Sequence, residues 1–220
     1  MLNKTQAAVI RLLADSSLRD RFYWSGGTLL SEKYLHHRKS YDIDLFANES
    51  FRYQEVLPLV ARLRDQLNLR QIEEHKIFDR WEFFLHNHEE VRLEFVHYDF
   101  PALKPRKRWR GVLIDSLEDL AANKTMAAIE RHEPKDVVDV YYLVTKRKMS
   151  LPKLLKLVNK KFGLKIDEST LLSELLHGSS RLNEIKAMLL GKSTQREKKL
   201  TQIKDYFQNL SAELLRQRWK

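Results

Sequence analysis

The chain has 220 residues, 43% hydrophobic and 32% charged, with no cysteine and a formal net charge of +10. That length buries a core in one large domain or two small ones, and no run approaches the roughly 18 apolar residues of a membrane span. The missing cysteines exclude disulfides and thiolate zinc sites and fit a cytoplasmic protein. The positive excess is confined to the last third. Residues 146–220 hold 18 Lys/Arg and 7 Asp/Glu, leaving 22 and 23 of the chain's 40 and 30 to residues 1–145. Such a basic segment suits a polyanionic acceptor such as RNA, because Lys and Arg bind phosphates without regard to sequence; it equally suits solvated helix faces that keep a protein soluble.

Ala7, Ala8, Ile10, Leu12 and Leu13 predict a helix over 3–14, with a short second piece up to Asp20. This stretch lacks the long apolar region of a signal peptide. A short strand is expected over 22–24, a helix over 28–35 and a second strand over 43–46. Val56, Leu59, Val60, Leu63 and Leu67 give a helical period over 51–67. Three strands follow over 69–75, 80–85 and 91–98, the last two joined through Asn87, His88 and Glu89; Trp81, Phe83, Phe84 and Phe95 read as core. Pro101 and Pro105, with Lys104, Arg106, Lys107, Arg108 and Arg110, read as a basic loop. Helices are expected over 117–130 and from Pro134 to about residue 145. Beyond that only helical periods occur, over 152–162, 168–176, 181–190 and 194–219, with Gly163, Gly178 and Gly191 placed as helix stops between them. The organisation expected is a mixed sheet flanked by helices over 1–145, an α/β (α+β) fold, followed by an all-helical basic module over 146–220.

The strongest chemical signal is a glycine turn followed by paired acids. Gly26 and Gly27 let the backbone approach a phosphate, and the amides of the following helix N-terminus are natural anion donors. Thr28 either adds its hydroxyl to a phosphate or caps that helix. Side chains alternate along a strand, so Asp42 and Asp44 point the same way, roughly 7 Å apart. Carboxylates on one face beside such a turn suit a hard divalent cation, Mg²⁺ or Mn²⁺; the bland readings are an N-cap or a surface salt bridge. Glu94, between apolar neighbours on its strand, offers a third carboxylate, unless it simply pairs with Arg92. His36 with His37, and His86 with His88, have half-site spacing but no third ligand, and read as surface or loop polar residues.

Four strings resemble, in order, the AbiEii-type branch of the nucleotidyltransferase superfamily, which shares its catalytic core with polymerase beta. They are Gly26-Gly27-Thr28; Arg38-Lys39-Ser40-Tyr41-Asp42-Ile43-Asp44-Leu45-Phe46; Ser116-Leu117-Glu118-Asp119-Leu120-Ala121-Ala122-Asn123-Lys124; and Arg131 through Lys135-Asp136-Val137-Val138-Asp139-Val140-Tyr141-Tyr142-Leu143. The resemblance spans roughly residues 13–143. It implies a nucleotidyltransferase core that moves a nucleoside monophosphate from an NTP to an acceptor and releases pyrophosphate. It implies metal ligation by Asp42, Asp44 and Glu94, phosphate contacts from Gly26, Gly27, Thr28 and Lys124, and catalytic roles for Asp42, Asp44, Glu94, Lys124 and Asp136. Glu94 departs from the aspartate common in the superfamily. Without the resemblance, Lys124 reads as a solvent-facing helix lysine and Asp136 as a first-turn acid favouring the helix dipole; the family motif makes Asp136 an active-site residue, with Asp139 its structural partner. Similar proteins act as toxins of bacterial toxin–antitoxin or phage-defence systems, some modifying tRNA acceptor ends, which implies an RNA acceptor and a neighbouring antitoxin. The alternatives are transfer to a protein or small-molecule hydroxyl, or a non-catalytic RNA- or partner-binding scaffold.

Overall fold

The computed structural model describes residues 2–86 and 90–218; the turn read at Asn87, His88 and Glu89, and the helix end read at Trp219, lie outside the described residues. The chain divides into two compact units, one of Met1–His36 with Ser40–Leu120, the other of His37–Lys39 with Ala121–Lys220.

The first unit opens with α1 (Lys4–Ala14), fixed by a reciprocal cap in which Asn3 and Gln6 each accept the other's backbone N–H. Its centre is a seven-stranded sheet: β1 (Tyr23–Ser25), β2 (Ile43–Ala47), β3 (Ile72–Ile77), β4 (Arg80–Leu85), β5 (Val91–His97), β6 (Lys107–Trp109) and β7 (Val112–Ile114). The strand order is β3-β4-β5-β2-β1-β7-β6. β2 runs parallel to β5 and β1 to β7, while the other neighbours are antiparallel. Register alternates chemistry between the faces. Trp81, Phe95, Leu45, Trp24 and Ile114 align on one side; Glu82, Glu94, Asp44 and Ser25 align on the other. The apolar side packs Phe22 against Phe51 and Phe95 at 4.9 and 5.1 Å, beside α3 (Tyr53–Leu67). Phe83 and Phe95 are buried as expected, whereas Trp81 and Phe84 are half-buried, Trp81 leaning on Tyr53 at 4.3 Å.

Two elements differ from expectation here. The helix after β1 starts at Gly26 rather than Thr28, as α2 (Gly26–Leu29), and continues as a π-helical stretch, Leu30–Leu35. The basic segment expected as a loop folds into the β6–β7 hairpin. Arg110 and Gly111 turn it at φ 53° and 81°, and Trp109 stacks on Trp24 at 5.7 Å, which anchors strands too short and too charged to announce themselves.

The second unit is helical. It takes most of α4 (Leu117–Arg131), then α5 (Pro134–Arg147), α6 (Leu151–Phe162), α7 (Glu168–Ser179) and α8 (Ser193–Arg218). Ser150 and Asp167 accept the capping N–H bonds of α6 and α7, and Gly163 ends α6 at φ 67°. Val137, Leu143, Leu171, Leu175, Ile203 and Phe207 form the core where α5 meets α7 and α7 meets α8. The segment expected as a helix over 181–190 is a 3-10 helix, Leu182–Met188. Gly178 is no stop. It lies inside α7, where an added Cβ would sit 2.7 Å from Val137 Cγ2 and 3.2 Å from the His132 carbonyl. Its role is close approach to α5.

Candidate active site

Four strands of the first unit line up a polar row. Ser25 is opposite Asp44, Asp44 opposite Glu94, and Glu94 opposite Glu82. β2 makes this possible by alternation: Ile43, Leu45 and Ala47 are buried while Asp44 and Phe46 are half-buried on the other face. Gly26, at φ +74°, is the cradle of Asp44. A Cβ there would fall 1.6 Å from Asp44 Oδ2, so the carboxylate occupies the volume of the absent side chain. Thr28 is buried, and its hydroxyl donates to the main-chain carbonyl of Asp42, tying α2 to the start of β2. Ser25, at the N-cap position of α2, does not cap it; its Oγ donates instead to Asp115 Oδ2 at 2.8 Å. The first-turn amides of α2 are thus left without a capping side chain, the arrangement from which helix termini bind anions.

Arginines balance these acids. Arg92 Nη2 lies 2.9 Å from Asp42 Oδ2 and 2.8 Å from Glu94 Oε1, and Arg80 lies 3.3 Å from Glu82 and 3.4 Å from Glu94. Burial pushes the Glu94 carboxyl up; Arg92 and Arg80 pull it down and the charges of Glu82 and Asp42 push it up again, leaving it above the ordinary carboxylate range. For Arg92, burial opposes the charged form, but Asp42, Glu94 and Asp44 outweigh it and hold the guanidinium charged. Asp42, Asp44 and Glu94 suit a hard divalent cation in kind, since all their donors are oxygens and Asp44 is seated against a glycine backbone. Among the described residues no three His, Cys, Asp or Glu side chains are gathered tightly enough to hold a metal ion. Arg92 engages two of the three carboxylates, so a cation bound there would exchange places with this guanidinium charge.

A second cluster lies within the second unit. Lys124 Nζ on α4 is 2.9 Å from Asp136 Oδ1 and 3.4 Å from Asp139 Oδ2, two acids one turn apart on α5. Arg38 grips Asp139 with both arms of its guanidinium, Nε at 2.7 Å and Nη2 at 2.8 Å, and His37 Nε2 lies 2.6 Å from the same carboxylate. Burial opposes the ionised form of Asp139, yet Arg38 and Lys124 hold it well below the ordinary aspartate range. Burial likewise opposes the charged form of Lys124, and Asp136 and Asp139 overcome it to raise the ammonium's pKa. Burial depresses the His37 pKa, working against its bond to Asp139. Asp136 Oδ2 is buried without a hydrogen-bond partner.

Sequence reading therefore located Gly26, Thr28, Asp42, Asp44 and Glu94 in one cluster, and Lys124 with Asp136 in another. It missed Glu82 and Arg80 as neighbours of Glu94, and Arg38 as the partner of Asp139. The one available signal for the latter was Arg38 standing inside the motif string; its partner, 101 residues away, is a product of folding. Lys124 is buried by two carboxylates rather than solvent-facing. Of the histidines, His36 is exposed, His37 is a buried polar contact, and His86 lies between Glu73 and Glu90; His88 is outside the described residues.

Known proteins resemble the chain in sequence and in fold. The family model described as nucleotidyl transferase AbiEii toxin, type IV TA system, matches residues 9–220. An uncharacterized protein of Aquifex aeolicus strain VF5 is 29% identical over 187 residues, covering 84% of this chain and 86% of its own. Two crystal structures from Helicobacter pylori share the fold. One, a candidate nucleotidyltransferase, superposes with TM-score 0.61 at 17% identity over 96% of this chain and 95% of its own; the other, JHP933, gives 0.60 at 18% over 98% and 95%. The chain belongs to the AbiEii family of nucleotidyl transferase toxins and is a nucleotidyltransferase.

Proposed function

We propose that the protein transfers a nucleoside monophosphate from an NTP to an RNA acceptor, tRNA in the first place, with Mg²⁺ or Mn²⁺, as the cytoplasmic toxin of a bacterial toxin–antitoxin or phage-defence pair with a neighbouring antitoxin. The observation that carries this reading is the register of Asp44 with Glu94 beside the Gly26 cradle. A divalent cation held by Asp42, Asp44 and Glu94 would neutralise the triphosphate and the charge that develops on transfer. Gly26 and Gly27 give phosphate oxygens access to backbone N–H groups. Glu94, opposite Asp44 in register, would orient the acceptor hydroxyl or take its proton. The family resemblance adds Lys124, kept charged by its acids, as a phosphate-directed cation, with Asp136 as its partner. The basic excess of residues 146–220 favours a polyanionic acceptor over a small molecule. No helix among the described residues is long and apolar enough to cross a membrane.

The test incubates the purified protein with Mg²⁺, each α-labelled NTP in turn and total cellular RNA, beside the Asp42→Ala/Asp44→Ala double variant. Label on an RNA band with wild type alone is the expected result and identifies both substrates. Label on the protein, or on small molecules only, overturns the RNA acceptor.

A further inference from the structure

The sheet face that carries Asp44 becomes aromatic one rung along. Tyr23 pairs in register with Phe46 as Ser25 does with Asp44, so all four project from the same side. From there rings run outward in single file: Tyr23 to Phe46 at 5.9 Å, Phe46 to Tyr98 at 4.7 Å, Tyr98 to Phe100 at 5.0 Å. Exposure rises along the file, from buried Tyr23 through half-buried Phe46 and Tyr98 to Phe100, which is 38% exposed.

Polar contacts hold this file in place independently of the rings. Asn48 Nδ2 donates to the carbonyls of Tyr98 and Phe100 at 3.0 and 3.1 Å, and the Tyr98 N–H donates to the Ala47 carbonyl at 2.8 Å. Arg106 donates to Asn48 Oδ1 at 2.8 Å while its guanidinium lies 3.4 Å over the Tyr23 ring. The following loop is fastened through the N–H groups of Leu103 and Lys104 to the Asp119 carboxylate. Beyond it comes the basic hairpin. Arg108 and Arg110 are engaged by Asp20 and Glu32, and Lys107, opposite Ile114 in register, projects from the other face of the sheet, which leaves the exposed ammonium group of Lys104 in the loop after Phe100. Rings opening to solvent beside cations are the equipment of single-strand nucleic-acid binding, where bases stack on aromatics and phosphates meet lysines. A file of three accessible rings exceeds what one nucleotide's base covers.

We propose that Phe46, Tyr98 and Phe100 form a stacking shelf for the unpaired terminal bases of an RNA acceptor, with Lys104 meeting a phosphate. Continuity places the shelf beside the carboxylates, since Phe46 follows Asp44 by two residues on one strand face, roughly 7 Å along. The proposal rests on the RNA reading above, and its test is a binding measurement that needs no catalysis.

A labelled single-stranded oligoribonucleotide is titrated with the full chain, followed by fluorescence anisotropy, without NTP. Phe100→Ala weakens binding about 5- to 150-fold with an unchanged salt slope, because stacking releases no counterions, and Phe100→Trp binds as wild type. Lys104→Gln lowers the slope of log affinity against log salt by about 0.7. Equal thermal midpoints for wild type and Phe100→Ala establish that folding is intact. RNA binding unaffected by Phe100→Ala overturns the shelf, and so does a loss confined to NTP binding, which would make the rings a seat for the substrate's base. Weakened RNA binding by the variant together with no label transfer by wild type would keep the shelf and sink the transfer reading instead.

Discussion

At the scale of single residues, the site depends most on an absent side chain. Gly26→Ala introduces a Cβ 1.6 Å from Asp44 Oδ2 at φ +74°, so the carboxylate must move by more than an ångström and the backbone is strained as well. The strain costs about 1–3 kcal/mol, and misplacement on that scale about 100-fold in rate. Gly163→Ala is the control: its φ is +67° but nothing lies within 4 Å. Both variants should therefore lose stability in denaturant titration, and Gly26→Ala alone should lose label transfer. Asp139 carries a different burden. Its folded carboxyl titrates well below the ordinary 3.8, so the stability it contributes is complete above about pH 4 and is lost as pH falls through the folded value. Asp139→Asn leaves the buried Arg38 and Lys124 short of a counter-charge. Unfolding at pH 7 should show a loss of about 3–5 kcal/mol, and the variant's stability should fall less than wild type's between pH 5 and 3. A wild-type-like acid limb in the variant would assign that limb to other carboxylates.

At the scale of elements, legibility followed the strength of the local pattern. The helices at Tyr53–Leu67 and Leu151–Phe162 and the strand Arg80–Leu85 stood where period and flanking residues put them. Alternation, which is local, was enough to set Asp44 on the polar face of β2, whereas Asp42 lies one residue before that strand. The β6–β7 hairpin was not, since its six strand residues include two exposed cations and its anchor, Trp24, is 85 residues from Trp109. Gly178 misled for a related reason. A glycine near a helix end looks like a stop, and only the fold reveals Val137 and His132 against it. Alanine at Gly178 gains about 1 kcal/mol of helix propensity, while forcing a methyl group to 2.7 Å from Val137 Cγ2 costs about 1–3 kcal/mol. Packing should win. Gly178→Ala should unfold at lower denaturant than wild type with an unchanged m-value, and a gain in stability would mean that α5 and α7 separate at little cost.

At the scale of the whole molecule, charge and core are interleaved in residues 146–220, which makes deletion a poor probe. Removing residues 150–220 would strip α7 and the 3-10 helix from α5 and expose Val137 and Leu143. The unit's makeup was also illegible in sequence. Residues 37–39 join it through the Arg38–Asp139 pair and the Lys39 N–H bond to the Met188 carbonyl, long-range contacts with no local signature. Charge can be removed without touching that core. α6 buries Leu151, Leu154, Leu155 and Val158 and exposes Lys153, Lys156 and Lys160 on the other side, a lysine stripe spaced three and four apart. Replacing these three with glutamine takes the formal charge from +10 to +7 and leaves the apolar stripe intact. If the stripe meets RNA phosphates, the slope of log affinity against log salt should fall by about 2, roughly 0.7 for each lost contact on a single strand. Stability should stay within about 0.5 kcal/mol, since exposed lysine side chains contribute little and glutamine keeps the Lys153 N–H that Ser150 caps. An unchanged slope would make this face a solvated one, and the phosphate contacts would then have to come from other cations, with Lys104 of the first unit the next to neutralise.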